Sequence, residues 1–143
     1  MDTIEIQSTD DSGVADFLGD RLYEFNVEAT GISDGELMIA VVRDESGSII
    51  AGLSGHSWGG CCEIKQVWVH ERMRGKGLGR DLMRSAEQEA IRRGCTQIVL
   101  STHSFQAPGF YEQLGYRKLA SIPEYPAGHE NIVYIRRLRS QPS

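Results

Sequence analysis

The sequence predicts an α/β domain built on one mixed, mainly antiparallel central sheet flanked by helices. Two observations lead to this prediction. Apolar, β-branched segments separated by short turns fill the middle of the chain, and a segment of helical periodicity then separates two further strand candidates. Strands joined by tight turns form an antiparallel meander, whereas a strand–helix–strand crossover aligns two strands in parallel. The predicted order is β-α-β-β-β-α-β-α-β-β.

The first half of the chain is predicted to form short strands around one helix. Segments in which β-branched residues alternate with other residues indicate strands, and the Asp-Glu-Ser-Gly-Ser sequence at 44–48 is typical of a hairpin turn. Small polar residues before an apolar stripe mark a helix start. The predicted elements are a strand at 3–7, a helix capped by Asp10, Asp11 or Ser12 and ending before Gly31, and strands at 37–43, 49–57 and 61–70.

In the second half, the spacing of apolar residues changes at Gly77 from every two residues, typical of a strand, to every 3.6 residues, typical of a helix. Apolar side chains then recur four apart, while Glu87 belongs to the polar face, and Gly94 follows as a C-cap. Pro108 is suited to the first turn of a short third helix that Gly115 ends. The remaining strands are predicted at 96–100, 116–121 and 131–138, and the last of them is expected to be an exposed edge that could pair two subunits in a homodimer.

Composition limits the function classes. A length of 143 residues suits one domain, residues 1–143, and the net charge of −5 disfavours general nucleic-acid binding. The three cysteines include no C-x-x-C pair, so neither a disulfide framework nor a metal site is expected. No apolar stretch approaches the roughly 20 residues that span a bilayer, and no leader is recognisable at the N-terminus. We therefore expect a cytoplasmic protein with no membrane partner.

A basic, glycine-rich segment follows the third strand and opens the second helix. The free N–H groups and the positive dipole at a helix start attract phosphate, and glycines let it approach closely. Lys76 is followed by Gly77, so the hydroxyl of a P-loop is missing, and Arg80 occupies the third glycine position of a dinucleotide fingerprint. The segment therefore predicts a different phosphate ligand, and its charges are supplied by Arg72, Arg74, Lys76 and Arg80.

Two motifs in this region resemble the GCN5-related N-acetyltransferase (GNAT) superfamily. Arg74-x-x-Gly77-x-Gly79 is similar to its Gln/Arg-x-x-Gly-x-Gly/Ala signature. About thirty residues later, the segment 107–116 is similar to its Ala-x-x-Phe/Leu-Tyr-x-x-x-Gly-Phe/Tyr element. The resemblance implies an acetyltransferase that uses acetyl-CoA as cosubstrate and no metal. It also implies direct attack of an amine on the thioester in a ternary complex.

The resemblance further implies roles for individual residues. Tyr111 is the expected general acid for the departing thiolate, and the backbone of Val67, Trp68 and Val69 is expected to pair with the pantetheine arm. Ser104 stands where the family often has an asparagine that holds this arm. The cofactor set implied is Val67, Trp68, Val69, Arg74, Gly75, Lys76, Gly77, Leu78, Gly79, Arg80, Ser104 and Tyr111.

A proton acceptor is also needed, because an alkylammonium with a pKa near about 10.4 cannot attack a thioester. Glu63 and His103 are the base candidates, with Glu36 and His129 as further possibilities, although each also suits a structural role. The adjacent Cys61 and Cys62 permit an alternative route through a cysteine thioester, but buried small hydrophobes describe them better.

The acceptor is predicted to be a cationic amine of a small molecule or a protein. Acidic residues are frequent in the segments that differ most between enzymes of one fold. Two alternatives remain open at this point: a non-catalytic CoA-binding sensor and an unrelated interaction module. The tentative acceptor contacts are Glu28, Glu36 and His129.

Overall fold

The computed structural model describes residues 2–139. Residues 2–33 and residues 34–139 are separately compact, and each part is described by itself. The single-domain expectation stays a prediction. The elements are α1 (Val14–Thr30), β1 (Glu36–Arg43), β2 (Ile49–Trp58), β3 (Cys61–Val69), a 3-10 turn (Glu71–Met73), α2 (Leu78–Arg92), β4 (Gln97–His103), α3 (Pro108–Gln113), β5 (Arg117–Pro123) and β6 (Glu130–Arg137).

The predicted α/β class is confirmed, and the N-terminal strand is the main difference in element order. Residues 3–7 form no strand, and Ile4 and Ile6 are each 90% exposed. Alternation alone does not make a strand, because the backbone must also find a partner for its hydrogen bonds. The N-cap of the first helix is Gly13 rather than one of the three predicted residues, although the Asp10 carboxylate does accept the N–H groups of Val14 at 2.6 Å and Ala15 at 3.0 Å.

The six strands form one sheet in the order β1-β2-β3-β4-β6-β5. All neighbours are antiparallel except β3 and β4, which the α2 crossover joins in parallel. The prediction of an exposed final strand was wrong, since β6 lies between β4 and β5 and pairs with both. A hairpin returns β6 to the sheet interior, so its edges are already hydrogen-bonded and cannot pair a second subunit.

Helix α2 covers one face of this sheet with its predicted apolar stripe. Leu82, Met83, Ala86 and Ala90 are buried in the core. Glu87 was assigned to the polar face, but it is only 8% exposed. Its carboxylate accepts the Tyr116 hydroxyl at 2.9 Å and pairs with a guanidinium nitrogen of Arg136 at 2.6 Å, which compensates its burial. No helix in residues 2–139 is long and apolar enough to cross a membrane.

A β-bulge in the middle of β3 changes the direction of the strand. Ser54 pairs with Gln66 and Gly55 pairs with Ile64, so Lys65 has no partner on β2. Gly55 allows the backbones to approach here, because a Cβ at this position would overlap the carbonyl oxygen of Glu63. Sequence alternation alone does not reveal such an extra residue.

We expect Gly55→Ala to lower the free energy of unfolding by about 3 kcal/mol, because the added methyl meets backbone that cannot move aside. Gly19→Ala in α1 is a matched control, since a Cβ there meets nothing within 4 Å. The control should be neutral or stabilising by about 0.5–1 kcal/mol. Urea denaturation of both variants tests this, and equal midpoints would show that the bulge tolerates a side chain.

Candidate active site

An interval opens between β3 and β4 in the middle of the sheet. Their parallel pairing runs from Cys61 and Gln97 to Ile64 and Leu100 and stops there. Both strands continue, β3 to Val69 and β4 to His103. Beyond the bulge, β3 stays paired with β2 on its other side only. One backbone edge of residues 65–69 therefore faces an open interval, as the predicted pairing of 67–69 with an extended ligand requires.

The glycine-rich segment lies at the end of this interval and leads into α2. Gly75 and Gly77 have φ of 78° and 83°, a region that side chains disfavour. Gly77 is the N-cap of α2, and no side chain caps the helix. The first N–H groups of α2 are thus without a capping side chain, which leaves them for an anion. At Gly79, a Cβ would lie 3.2 Å from the Phe110 ring, so glycine permits α2 and α3 to pack closely.

Basic side chains surround this helix start. The Arg74 guanidinium donates from Nε to the Val69 carbonyl at 3.2 Å, which fixes the loop against the end of β3. Arg80 points back over the loop, within 3.2 Å of a Cβ built at Gly77. Its Nε lies 4.0 Å from the Asp81 carboxylate, and both side chains are largely exposed. The charge of Arg80 is therefore only weakly compensated by the protein.

Tyr111 reaches the same region from α3. It is 8% exposed, and its ring contacts those of Phe110, Tyr116 and Tyr134. Burial raises the pKa of Tyr111 above its ordinary value of 10.0, so the phenol keeps its proton at neutral pH. Its hydroxyl has no hydrogen-bond partner among residues 2–139. A neutral phenol without a protein acceptor can donate to a ligand, as a general acid must.

These features meet in one cleft of about 1240 Å³. Most of the residues predicted for the cofactor line it, whereas Lys76 and Ser104 do not. The Ser104 hydroxyl instead accepts the Glu130 N–H at 3.0 Å, in the loop between β5 and β6. The predicted residues brought together are Val67, Trp68, Val69, Arg74, Gly75, Gly77, Leu78, Gly79, Arg80 and Tyr111.

The base candidates lie on the sheet face opposite α2. Cys62, Ile64 and Val67 pack toward the core. Glu63 alternates to the other face, where it pairs with Lys65 at 3.0 Å and lies 3.7 Å from His56. His103 occupies the same face of β4, since Thr102 beside it is buried in the other direction. Its Nδ1 lies 2.9 Å from the Tyr125 carbonyl, an acceptor only, so Nδ1 carries the proton.

Among the remaining candidates, neither Glu36 nor His129 lines the cleft. The Glu36 carboxylate lies 3.5 Å from Nε of Arg93, a side chain that also donates to Ser57 and to the carbonyls of Glu36 and Leu37. This network ties the end of α2 to β1 and β2. Glu28 is on α1, in the separately described part of the chain. His129 lies in the β5–β6 loop, where its ring meets Phe105.

Several residues that line or flank the cleft were not among the predicted site residues. Phe105 and Phe110 line it, and both belong to the short stretch around the Tyr111 motif, so the apolar positions of that stretch were a usable signal. His56 faces Glu63 only because the strand register pairs them. The register between two strands is a tertiary property, and no local pattern in the chain indicated that His56 and Glu63 lie side by side.

Cys62 and Cys95 are poorly suited to carry an acetyl group. Cys62 is fully buried beside Met38, and burial raises the pKa of its thiol to about 12. Burial likewise raises the pKa of Cys95. Since the thiolate is the nucleophile, neither thiol is activated at neutral pH. No group of three or more potential metal ligands occurs within residues 2–139.

Comparison with known proteins identifies this arrangement. The profile of the acetyltransferase (GNAT) family matches residues 4–116. The chain belongs to the GNAT acetyltransferase family. Among curated relatives, the blasticidin-S acetyltransferase of Streptomyces morookaense is 40% identical over 95 residues, which cover 66% of this chain and 70% of the relative. The enzyme is thus an acetyltransferase.

Solved structures agree with this assignment. An acetyltransferase from Bacillus cereus superposes with a TM-score of 0.78 at 28% identity, covering 94% of this chain and 98% of that one. A Bacillus anthracis structure in complex with acetyl coenzyme A has a TM-score of 0.63 at 20% identity, covering 71% and 62% of the two chains. The second likeness is one of fold alone.

Proposed function

We propose that this GNAT acetyltransferase transfers the acetyl group of acetyl-CoA to a primary amine by direct attack in a ternary complex. One observation carries the proposal: a single cleft joins the open interval between β3 and β4, the uncapped start of α2 and the unpartnered Tyr111 hydroxyl. Each part meets a different portion of the cosubstrate. The acetyl-CoA complex of the Bacillus anthracis protein supports the same donor.

The cofactor is held by backbone and charge rather than by a deep apolar pocket. The free edge of Val67–Val69 suits the amide groups of the pantetheine arm, and the start of α2 suits the pyrophosphate. Arg74, Lys76 and Arg80 supply positive charge. The Ser104 hydroxyl accepts the Glu130 N–H already, so its own proton and one lone pair are left for the arm.

Acid and base act from opposite faces of the sheet. Tyr111 comes from the α2 side, and Glu63 and His103 lie on the other side. The base first takes a proton from the ammonium group, and the neutral nitrogen then attacks the carbonyl carbon as the carbon–sulfur bond breaks. The thiolate takes the phenol proton, and the second proton on the nitrogen returns to the phenolate. We assign the base to Glu63, because its two oxygens only accept. The raised pKa of the Cys62 thiol supports direct attack over a cysteine intermediate.

The acceptor is proposed to be cationic. His129 lies in the loop between Glu124 and Glu130 on the face proposed for the amine, and Glu28 remains a candidate contact on α1. The Glu36 carboxylate already faces Arg93, which makes it the weakest of the three predicted contacts. A lower KM for cationic amines than for neutral amines of the same length is the expected result.

Two measurements test the proposal together. Acetyl-CoA should bind saturably and raise the melting temperature, and free thiol should appear when the protein is incubated with acetyl-CoA and a library of amines. Binding without thiol release from any amine would favour the sensor alternative. Absence of binding would reject the assignment of the cleft.

We expect Glu63→Gln to lower kcat by roughly 100-fold, the lower range for loss of a general base, with little change in coenzyme A affinity. Glu45→Gln, in the β1–β2 turn, is the control for loss of one carboxylate and should match the wild type. If His103→Gln lowers kcat by a similar factor while Glu63→Gln leaves it unchanged, the assignment passes to His103.

A further inference from the structure

Four aromatic rings from two separate segments meet beside the cleft. His103 ends β4 and Phe105 follows it, and Tyr125 and His129 belong to the β5–β6 loop; we call these four residues the ring cluster. The rings of His103 and Phe105 are stacked, with centroids 5.3 Å apart and planes 2° apart. Tyr125 lies 5.2 Å from the His103 ring, and His129 lies 5.0 Å from the Phe105 ring.

Backbone hydrogen bonds hold the two segments together before any ligand binds. Ser104 donates its N–H to the Glu130 carbonyl at 2.8 Å, and Glu130 donates its own N–H to the Ser104 hydroxyl at 3.0 Å. His103 is bonded to the Tyr125 carbonyl at 2.9 Å. The loop is also closed on itself, since the His129 N–H donates to Pro126 at 2.9 Å. Such a preorganised surface loses little entropy when it binds.

The cluster nevertheless leaves much aromatic surface in contact with solvent. Phe105 is 56% exposed and Tyr125 is 52% exposed, and neither belongs to the hydrophobic core. Phe105 lines the cleft. His103 lies on the face opposite α2, the face that we assign to the attacking amine. The exposed rings therefore adjoin the reaction centre on the acceptor side rather than contributing to the core.

The charges around the ring cluster are acidic. Residues 101–106 and 123–131 contain Glu124 and Glu130 and no lysine or arginine. A flat aromatic face favours another ring or a cation, and the carboxylates favour a positive charge. A single ligand class satisfies both conditions, namely a planar ring that carries a basic amine.

We propose that the ring cluster is the acceptor subsite, and that it binds an aromatic or heteroaromatic ring carrying the primary amine to be acetylated. The inference rests on the proposed acetyl transfer and adds the chemical class of the acceptor. Stacking on Phe105 positions the ring, while Tyr125 extends the platform. The carboxylates of Glu124 and Glu130 attract the ammonium group into this region.

A matched pair of amines tests the subsite. Benzylamine and cyclohexylmethylamine carry the same charge on rings of the same size, but only benzylamine can stack. Simple apolar burial would favour the more hydrophobic saturated ring. We expect kcat/KM to be roughly 3- to 10-fold higher for benzylamine, the range expected for an aromatic pair. Equal values, or a preference for cyclohexylmethylamine, would overturn the proposal.

Variants then connect this preference to the ring cluster. Tyr125→Leu should reduce the preference toward 1 without changing the Kd of coenzyme A or the melting temperature. Phe105→Leu should also reduce the preference toward 1, whatever its effect on the Kd of coenzyme A, because the Phe105 ring lines the cleft as well. Leu119→Ala on β5 removes an exposed apolar side chain elsewhere and should keep the preference. A loss of coenzyme A affinity in Phe105→Leu at unchanged preference would place Phe105 in the cofactor site and overturn the assignment.

The outcomes also separate this inference from the proposed function. If coenzyme A does not bind, or no amine in the library releases thiol, acetyl transfer itself is rejected and the subsite is rejected with it. If thiol is released only with non-aromatic amines, or equally with both members of the matched pair, acetyl transfer stands and the aromatic subsite alone is rejected.

Discussion

Replacing Gly77 by glutamate should weaken coenzyme A binding on the order of 100-fold. Gly77 is the N-cap of α2 and has φ of 83°. The substitution sets a carboxylate where we expect the pyrophosphate, and two unit charges about 4 Å apart repel by about 4 kcal/mol at an effective dielectric constant near 20. Each 1.4 kcal/mol corresponds to about a tenfold change in Kd, so partial compensation by Arg80 still leaves a large loss. Isothermal titration with coenzyme A measures this directly.

The control for this variant is Gly47→Glu. Gly47 lies in the β1–β2 turn with φ of 87°, and a Cβ there meets nothing within 4 Å. The control therefore imposes the same backbone strain and the same added charge away from the cleft. It should lose stability as Gly77→Glu does and keep the wild-type Kd. If the two variants bind coenzyme A equally well, the start of α2 is not the pyrophosphate site.

Tyr111→Phe should lower kcat by about 100-fold or more, within the range usual for loss of a general acid. We expect kcat to fall because phenylalanine has no proton to give to the departing thiolate. Because burial raises the pKa of Tyr111 above 10.0, the wild-type enzyme should keep this proton through neutral pH and lose activity only on the alkaline side. Removing a hydroxyl that has no protein partner should leave the melting temperature unchanged or slightly raised. Steady-state thiol release from pH 6 to 11 measures kcat and its pH dependence, and thermal denaturation measures the melting temperature.

Tyr134→Phe is the matched control. Tyr134 packs against Tyr111 in the same core, and its hydroxyl donates to Glu112 at 3.2 Å. This variant should lose some stability and keep its kcat, the opposite pattern to Tyr111→Phe. Wild-type kcat in Tyr111→Phe would show that solvent or another group protonates the thiolate, although binding of acetyl-CoA would be unaffected.

Local patterns determined most of this molecule. Alternation and 3.6-residue periodicity predicted the hairpin of β1 and β2, the core stripe of α2 and the crossover to β4. The glycines and arginines between 74 and 80 predicted an anion site, because a helix start and its free N–H groups are properties of a short segment. Tyr111 was selected because the short segment 107–116 resembles an element of the family.

Only the tertiary structure decided how strands and loops meet. The position of β6 inside the sheet depends on which neighbour completes its hydrogen bonds, and residues 3–7 remain unpaired because alternation supplies no partner. The bulge at Lys65 decides where β3 and β4 separate, and the strand register sets His56 opposite Glu63. The ring cluster joins residues 103–105 with residues 125–129, which are distant in the chain. Such contacts depend on packing between segments, whereas a sequence pattern describes each segment alone.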